Sequence, residues 1–329
     1  MYNKVFITAI LILSVLILAV QSDAQEQIEF VVDVYDQARA CNGTTLFSDN
    51  SNLQRPRVVE VDMKGNTVWE YVLPQDFRRY TNPGFDVEAL ANKNILLTFP
   101  GKGVYEINRK GNVVWFCADK QVSHDADRLP NGNTLYVFGN EDQINDAQVK
   151  EVNKNGEIVW AWRAKEIFNR EPFSSIYNGG WTHTNAVERL ANGNTLISLR
   201  NFHSVIEIDP DGKIVRKLTK RILKHQHDPQ MLPNGNILLA NHGRPQAAIE
   251  VDFDTEEIIW QYDMLDSNTW PVRDADRLPN GDTLITGTTK IVEVTPDKKI
   301  VWQLSMKNVS FQGKEGPGRG FYKAQRISQ

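Results

Sequence analysis

The chain has 329 residues, 41% of them hydrophobic, and a formal net charge of −4. This is the composition of an ordinary globular protein. The mild acidity, with no long basic run and no RNA-binding motif, gives no reason to expect nucleic acid as a partner.

The N-terminus reads as an address. Lys4 precedes an apolar run from Val5 to Val20, and Ser22-Asp23-Ala24 offers small residues for cleavage. A secretory signal peptide over residues 1–24 is expected. The run is shorter than the ~20 residues of a bilayer span, so cleavage should leave no stable membrane span. No Cys follows the run, which argues against a lipoprotein. The mature chain, 25–329, is then periplasmic or secreted. In such a compartment Cys41 and Cys117 could pair and bridge the first two blades, but the sequence does not tell whether they bond. Two cysteines without a CxxC spacing do not make a Cys-based metal site.

A repeated phrase then takes over. It reads HDADRLPNGNTL at His124–Leu135, HDPQMLPNGNIL at His227–Leu238 and RDADRLPNGDTL at Arg273–Leu284. Looser copies run Phe85–Leu96 and Asn185–Leu196, and Cys41–Asp49 keeps part of a further one. Each is followed by a second phrase such as VYEINRKGNVVW or VIEIDPDGKIVR. A unit of about forty residues with this content signals a propeller or solenoid. Asp-Ala-Asp-Arg-Leu alternates and is one strand. Asn-Gly, two residues tolerant of positive φ, is a hairpin turn. Asn-Thr-Leu-Ile, Val-Ile-Glu-Ile and Ile-Val-Trp supply the other three strands. Six such units predict an all-β, six-bladed propeller of four-stranded antiparallel blades. Tyr322–Ile327 imitates the first strand without its hairpin. It is expected to close the ring inside the blade of Cys41–Tyr71, removing open edges.

First strands of blades face the central channel, so equivalent positions form rings. One ring holds Phe85, His124, Asn185, His227, Arg273 and Tyr322. The next holds Asp86, Asp125, Ala186, Asp228, Asp274 and Lys323. The recurring Asp reads as framework that satisfies turn or neighbouring-blade donors. The varied ring reads as the site. Four of the chain's six histidines, His124, His183, His225 and His227, fall in these channel-mouth segments. With Arg200 and Arg273 they suit an oxyanion: sulfate, phosphate or carboxylate. His225 and His227, two apart on a strand, would share a face and invite a metal reading; two arginines in the same pocket oppose it.

Trp181-Thr-His183-Thr-Asn185, then Ser198-Leu-Arg200 and Val205–Asp209, resemble the bacterial arylsulfate sulfotransferases. Gln226-His227 matches that family's nucleophilic histidine, and His124, just before a Leu-Pro-Asn-Gly-Asn turn, its earlier channel histidine. The resemblance implies a periplasmic six-bladed propeller. It implies sulfuryl transfer between phenolic sulfate esters and phenols through a sulfohistidine, with no nucleotide donor and no cofactor. The partners are then a phenolic sulfate donor and a phenol acceptor. His227 would attack sulfur, Arg200, His183 and Asn185 would hold sulfuryl oxygens, and His124 would bind the group or handle the phenolic proton. Ring geometry, not the resemblance, adds Arg273 and Tyr322 as substrate-binding residues. The insertion Phe168–Trp181, with Phe173, Tyr177 and Trp181, offers a wall for an aryl pocket. Its alternative is a packed surface loop. Two other classes stand beside this reading: a propeller that binds an extracytoplasmic ligand or partner without catalysis, and a quinoprotein, whose propellers are usually longer and carry more blades.

Overall fold

The repeat folds as its alternation dictates. A computed structural model describes residues 30–81, 84–219, 221–243, 246–264, 272–307, 309 and 319–328. The expected signal peptide therefore lies outside the described residues. Six antiparallel sheets form a propeller. Blade 1 contains Phe321–Ser328, Gly43–Asp49, Arg57–Asp62 and Thr67–Val72 from inside outward; blade 2 contains Asp86–Ala89, Ile95–Phe99, Gly103–Ile107 and Val113–Cys117. Blade 3 is Ala126–Arg128, Thr134–Val137, Val149–Val152 and Ile158–Trp162; blade 4 is Thr184–Arg189, Thr195–Leu199, Ser204–Ile208 and Ile214–Leu218. Blade 5 is His227–Met231, Ile237–Asn241, Ala247–Val251 and Ile258–Asp263; blade 6 is Asp274–Arg277, Thr283–Thr286, Lys290–Val294 and Ile300–Met306. Middle strands are buried on both faces, whereas fourth strands expose Val68, Val114, Val159, Val215 and Ile259. No helix of the described residues is long and apolar enough to cross a membrane.

Closure occurs as the imitation phrase predicts, with Ala324 opposite Phe47 and Ile327 opposite Thr44. A second tie was not read from the sequence. Phe30–Tyr35 adds a fifth strand outside Ile300–Met306 in blade 6. Both ends of the chain thus join blades 1 and 6, and Phe30, Phe47 and Phe321 meet there at centroid distances of 4.9–5.8 Å.

The framework residues stitch each blade to the next. The indole of Trp69 donates to the Arg109 carbonyl, Trp115 to Lys154, Trp260 to Pro296 and Trp302 to Met63, at 2.8–3.0 Å. In blades 2, 3 and 5 the Glu of the third strand accepts from a turn Asn and from an Arg of the following blade: Glu106 takes Asn94 and Arg128, Glu151 takes Asn133 and Arg189, Glu250 takes Asn236 and Arg277. Blade 5 carries Met231 where that Arg would stand. Blade 4 compensates with its own Arg216, which occupies the Trp position and bonds Glu207 at 2.7 Å. Charged partners of this kind are satisfied in place and hold register.

One expectation is corrected and one open question is answered. In the hairpin only the glycine is left-handed (Gly132 φ 86°, Gly235 φ 87°). The preceding Asn instead accepts the N–H two residues on with its side chain, as Asn131 does from Asn133 at 2.9 Å. The cysteines do not pair: both are buried free thiols. Cys41 lies at the seam of blades 6 and 1, its N–H on Glu293 and its sulfur 3.6 Å from the Ser328 hydroxyl. Cys117 ends the outer strand of blade 2 beside the blade 3 residues Tyr136 and Lys150. Different seams of the ring keep them apart.

Candidate active site

One end of the channel gathers the varied ring. His124, Asn185, His227, Arg273 and Tyr322 line a cavity of about 20 Å³ together with Asp125, Asp228 and Lys323. Its floor is the Asp ring. The Lys323 ammonium sits 2.9 Å from Asp228, 3.4 Å from Asp125 and 3.5 Å from Asp86. Asp125 and Asp274 also reach across blade seams, to the N–H groups of Val187 (2.8 Å) and Ala324 (3.4 Å). The repeated Asp is therefore framework, and its charge is answered by one half-buried lysine. Burial pushes the carboxyls of Asp86, Asp125 and Asp274 upward, Asp125 to about 7, while the carboxylates around it hold Lys323 well above the usual lysine range despite burial.

Above this floor the hydrogen bonds run in one direction. His183 Nδ1 lies 3.2 Å from the Asn178 carbonyl, which can only accept, so Nδ1 carries the proton. In the neutral ring Nε2 then accepts. Its partner, 3.0 Å away, is His124 Nε2, which must donate. His124 Nδ1 is left to accept from the Tyr322 hydroxyl at 3.2 Å. The chain Tyr322, His124, His183 thus leads from the buried cavity to a half-buried ring at the mouth. Burial first, and then neighbouring histidines and arginines, hold the imidazoles neutral: His183 at about 4, His124 and His227 well below their usual value. Burial pushes Tyr322 up to about 12.

The motif residues hold this arrangement. The Asp142 carboxylate accepts from the N–H groups of Thr182 (3.2 Å) and His183 (3.1 Å), so a residue of blade 3 fixes the blade 4 histidine. Trp181 does not line the cavity. It is buried among Phe168, Phe173 and Phe202, and its indole donates to the Phe173 carbonyl. The insertion is therefore a packed element that delivers the Asn178 carbonyl. Ser198 and the Ser204 carbonyl hold the Gln226 amide at 3.0 and 2.9 Å, next to His227. Asn185 donates to the Gln226 carbonyl at 2.8 Å, and its Oδ1 has no hydrogen-bond partner among the described residues. Arg200 opens the short 3-10 turn Arg200–Phe202, and its positive charge depresses His124, His183, His225, His227 and His242 alike.

His225 and His227 do not share a strand face. The strand begins at His227, and His225 is left-handed (φ 48°). His225 meets His203 at 4.7 Å, whereas His227 stacks on His242 at 4.4 Å and 21°. The His242 Nε2–H donates to the Val272 carbonyl at 2.8 Å. No group of three metal-ligating side chains with suitable geometry occurs among the described residues. Sequence reasoning missed His203, His242 and Asp142, which lie in loops outside the repeated phrase. The available signal was the count: all six histidines form three ring pairs around this mouth. Left-handed non-glycine residues also concentrate here, at His183, His203, His225 and Asp228. Such backbone strain persists where surroundings impose it, as at functional sites.

The profile described as Arylsulfotransferase (ASST) matches residues 20–219, more than half of the sequence. The chain belongs to the arylsulfotransferase family. No curated protein sequence matches it significantly. Among solved structures, a protein of unknown function from Bacteroides caccae superposes with a TM-score of 0.62 at 19% identity, covering 87% of this chain and 100% of its own. A streptogramin B lyase follows at 0.54 and 13%, covering 88% and 90%. A catalytically inactive variant of virginiamycin B lyase from Staphylococcus aureus, with quinupristin, gives 0.52 at 11%, covering 83% and 87%. At these identities the likeness is one of fold. The arylsulfotransferase match covers the segments that carry His124, His183, Asn185 and Arg200, and ends before His227.

Proposed function

We propose that the chain transfers a sulfuryl group from a phenolic sulfate ester to a second phenol through a sulfated His227. The observation that carries this reading is the cavity in which His227, held neutral, meets Arg273, Tyr322 and His124. Sulfuryl transfer resembles phosphoryl transfer: a loose transition state that needs positioning and cationic donors more than a metal. A ring nitrogen of His227 attacks sulfur, the sulfur–oxygen bond to the aryl group breaks, and a phenolate departs. Arg273 and Arg200 supply positive charge to the sulfuryl oxygens. The phenolate departs as the anion and takes its proton from water at the mouth, because the neutral chain from Tyr322 to His183 donates outward.

The second half uses that chain as a base, and the half-buried His183 then releases the proton to water. The acceptor phenol gives its proton to the Tyr322 oxygen while Tyr322 passes its own to His124 Nδ1 and His124 passes its Nε2 proton to His183. The sulfur–nitrogen bond breaks as the new sulfur–oxygen bond forms. The unpartnered Asn185 Oδ1 suits an incoming hydroxyl hydrogen. No cofactor is invoked. The apolar run of Val5–Val20 supports export and action in the periplasm or outside the cell, which N-terminal sequencing of the mature protein tests.

Given 4-nitrophenyl sulfate alone, the protein should gain about 80 Da on the peptide that holds His227, as a covalent intermediate requires. With added phenol, kinetics should be ping-pong. His227→Ala should lose both the adduct and transfer while staying folded, because a channel-lining imidazole carries little packing energy. Full activity in that variant overturns the mechanism. No turnover by the wild type with several phenolic donors favours a binding propeller instead.

A further inference from the structure

The cavity leaves the aromatic part of a substrate without a place. At about 20 Å³ it admits a group little larger than water, not an aromatic ring. The aryl group must therefore rest at the mouth. Phe173 and Trp181 of the insertion are not available for it, because they pack against Phe168 and Phe202. The Tyr177 hydroxyl is tied to Glu141 at 2.6 Å.

Two rings at the lip have no part in the mechanism above. His225 stands two residues before His227 and His203 three after Arg200, and His225 lies near enough to Arg200 and His183 for their charge to act on it. Both are half-buried. Their rings meet at 4.7 Å and 51°, and the His225 N–H donates to His203 Nδ1 at 3.1 Å, which fixes the His203 ring. Both residues are left-handed, φ 49° and 48°, a conformation kept only where surrounding structure imposes it.

We propose that His203 and His225 form the platform on which the aromatic ring of donor and acceptor rests, and so select aryl over alkyl sulfates. The inference rests on the sulfuryl-transfer reading for the anion's place and adds the place of the carrier. Burial, then the charge of Arg200, holds His225 at about 4, so at neutral pH it is an uncharged aromatic face. Offset or edge-on contact with a substrate ring is then favourable.

The test uses His203→Asn and His225→Asn in the full chain, since Asn tolerates the left-handed conformation and removes the ring. Calorimetry would follow binding of 4-nitrophenyl sulfate and of inorganic sulfate, and kinetics would follow 4-nitrophenyl sulfate with phenol. Each variant should weaken aryl sulfate binding and raise KM about tenfold, the scale of one aromatic contact. The affinity for inorganic sulfate and kcat should change less than about threefold. His225→Phe should recover the aryl affinity. Unchanged aryl binding in both Asn variants, or an equal loss for inorganic sulfate, overturns the platform. Absence of turnover in the wild type overturns the transferase reading alone, because the two binding ratios still judge the platform. A wild type that binds neither ligand overturns both.

Discussion

At the scale of single residues, the channel is governed by where carboxyls meet the next blade. Two residues beyond each position of the ring that runs from Asp86 to Lys323 stands a further inward position: Glu88, Asp127, Glu188, Gln230, Asp276 and Gln325. Glu188 accepts the Met231 N–H at 2.9 Å, Gln230 that of Arg277 at 2.8 Å and Gln325 that of Ala89 at 2.7 Å. A carboxylate and a neutral amide thus do the same structural work. Glu88 accepts from the Arg128 N–H at 3.2 Å, but burial pushes its carboxyl up to about 7. Because this folded value lies above the unfolded one, the contribution is most favourable below about pH 4 and is lost as pH rises to 7. Glu88→Gln should therefore leave stability near pH 4 unchanged and raise it at pH 8. Each pKa unit is worth about 1.4 kcal/mol, and channel water reduces the gain to about 1–3 kcal/mol. Urea unfolding at the two pH values measures it. An equal effect at both would show that Glu88 is ionised in the folded state throughout. The Asp positions of this channel were legible as framework because they repeat. The raised carboxyls of Asp86, Asp125 and Asp274 were not, since the shift comes from burial inside the closed ring, which one lysine from the far end of the chain only partly offsets.

At the scale of elements, the two closing strands carry unequal loads. Phe321–Ser328 is the inner strand of blade 1, with Phe321 and Ala324 buried and Arg326 paired to Glu293 at 3.0 Å. Phe30–Tyr35 is an outer edge, mostly half-exposed. Removing 319–329 should open the ring and abolish cooperative unfolding, whereas removing the chain through Tyr35 should lower the urea midpoint and preserve a single transition. Phe321→Ala should cost about 3–5 kcal/mol, as for other buried Phe deletions. A truncation at the C-terminus that leaves the midpoint unchanged would show that closure does not stabilise the ring. The inner strand was readable because it copies a repeated phrase. The outer one has only a short apolar stretch, and its partner is chosen by which edge of blade 6 remains open. The insertion Phe168–Trp181 was readable as aromatic. Whether its rings face a ligand or one another was decided by Phe202, a residue outside it.

At the scale of the whole molecule, closure brings segments distant in sequence to one mouth. Its imidazoles are depressed by burial and then by neighbouring cations, with His183 and His225 at about 4 and His242 at about 3. A lowered histidine pKa means that the free base, the form able to attack or accept a proton, persists to lower pH. Transfer from 4-nitrophenyl sulfate should then be nearly independent of pH from about 5 to 8, with the acid limb of kcat/KM near 4. An acid limb near 6.5 would show an imidazole in contact with bulk water.

The sequence by itself determined the blade, the number of blades, the closing strand and the ring order. All of these are periodic, and periodicity is written in local alternation and turn residues. It also fixed which positions vary against the repeat, and so pointed to His124, His227, Arg273 and Tyr322. Only the tertiary structure decided which side chains meet. His203 and His242 sit in loops with no repeat position, Trp181 turns inward to a cluster, and Cys41 and Cys117 fall in separate seams. The proton order from Tyr322 to His183 hangs on a single carbonyl of Asn178. Such contacts join chain segments tens to hundreds of residues apart, and they exist only once the ring has closed and fixed every blade at its angle to the axis.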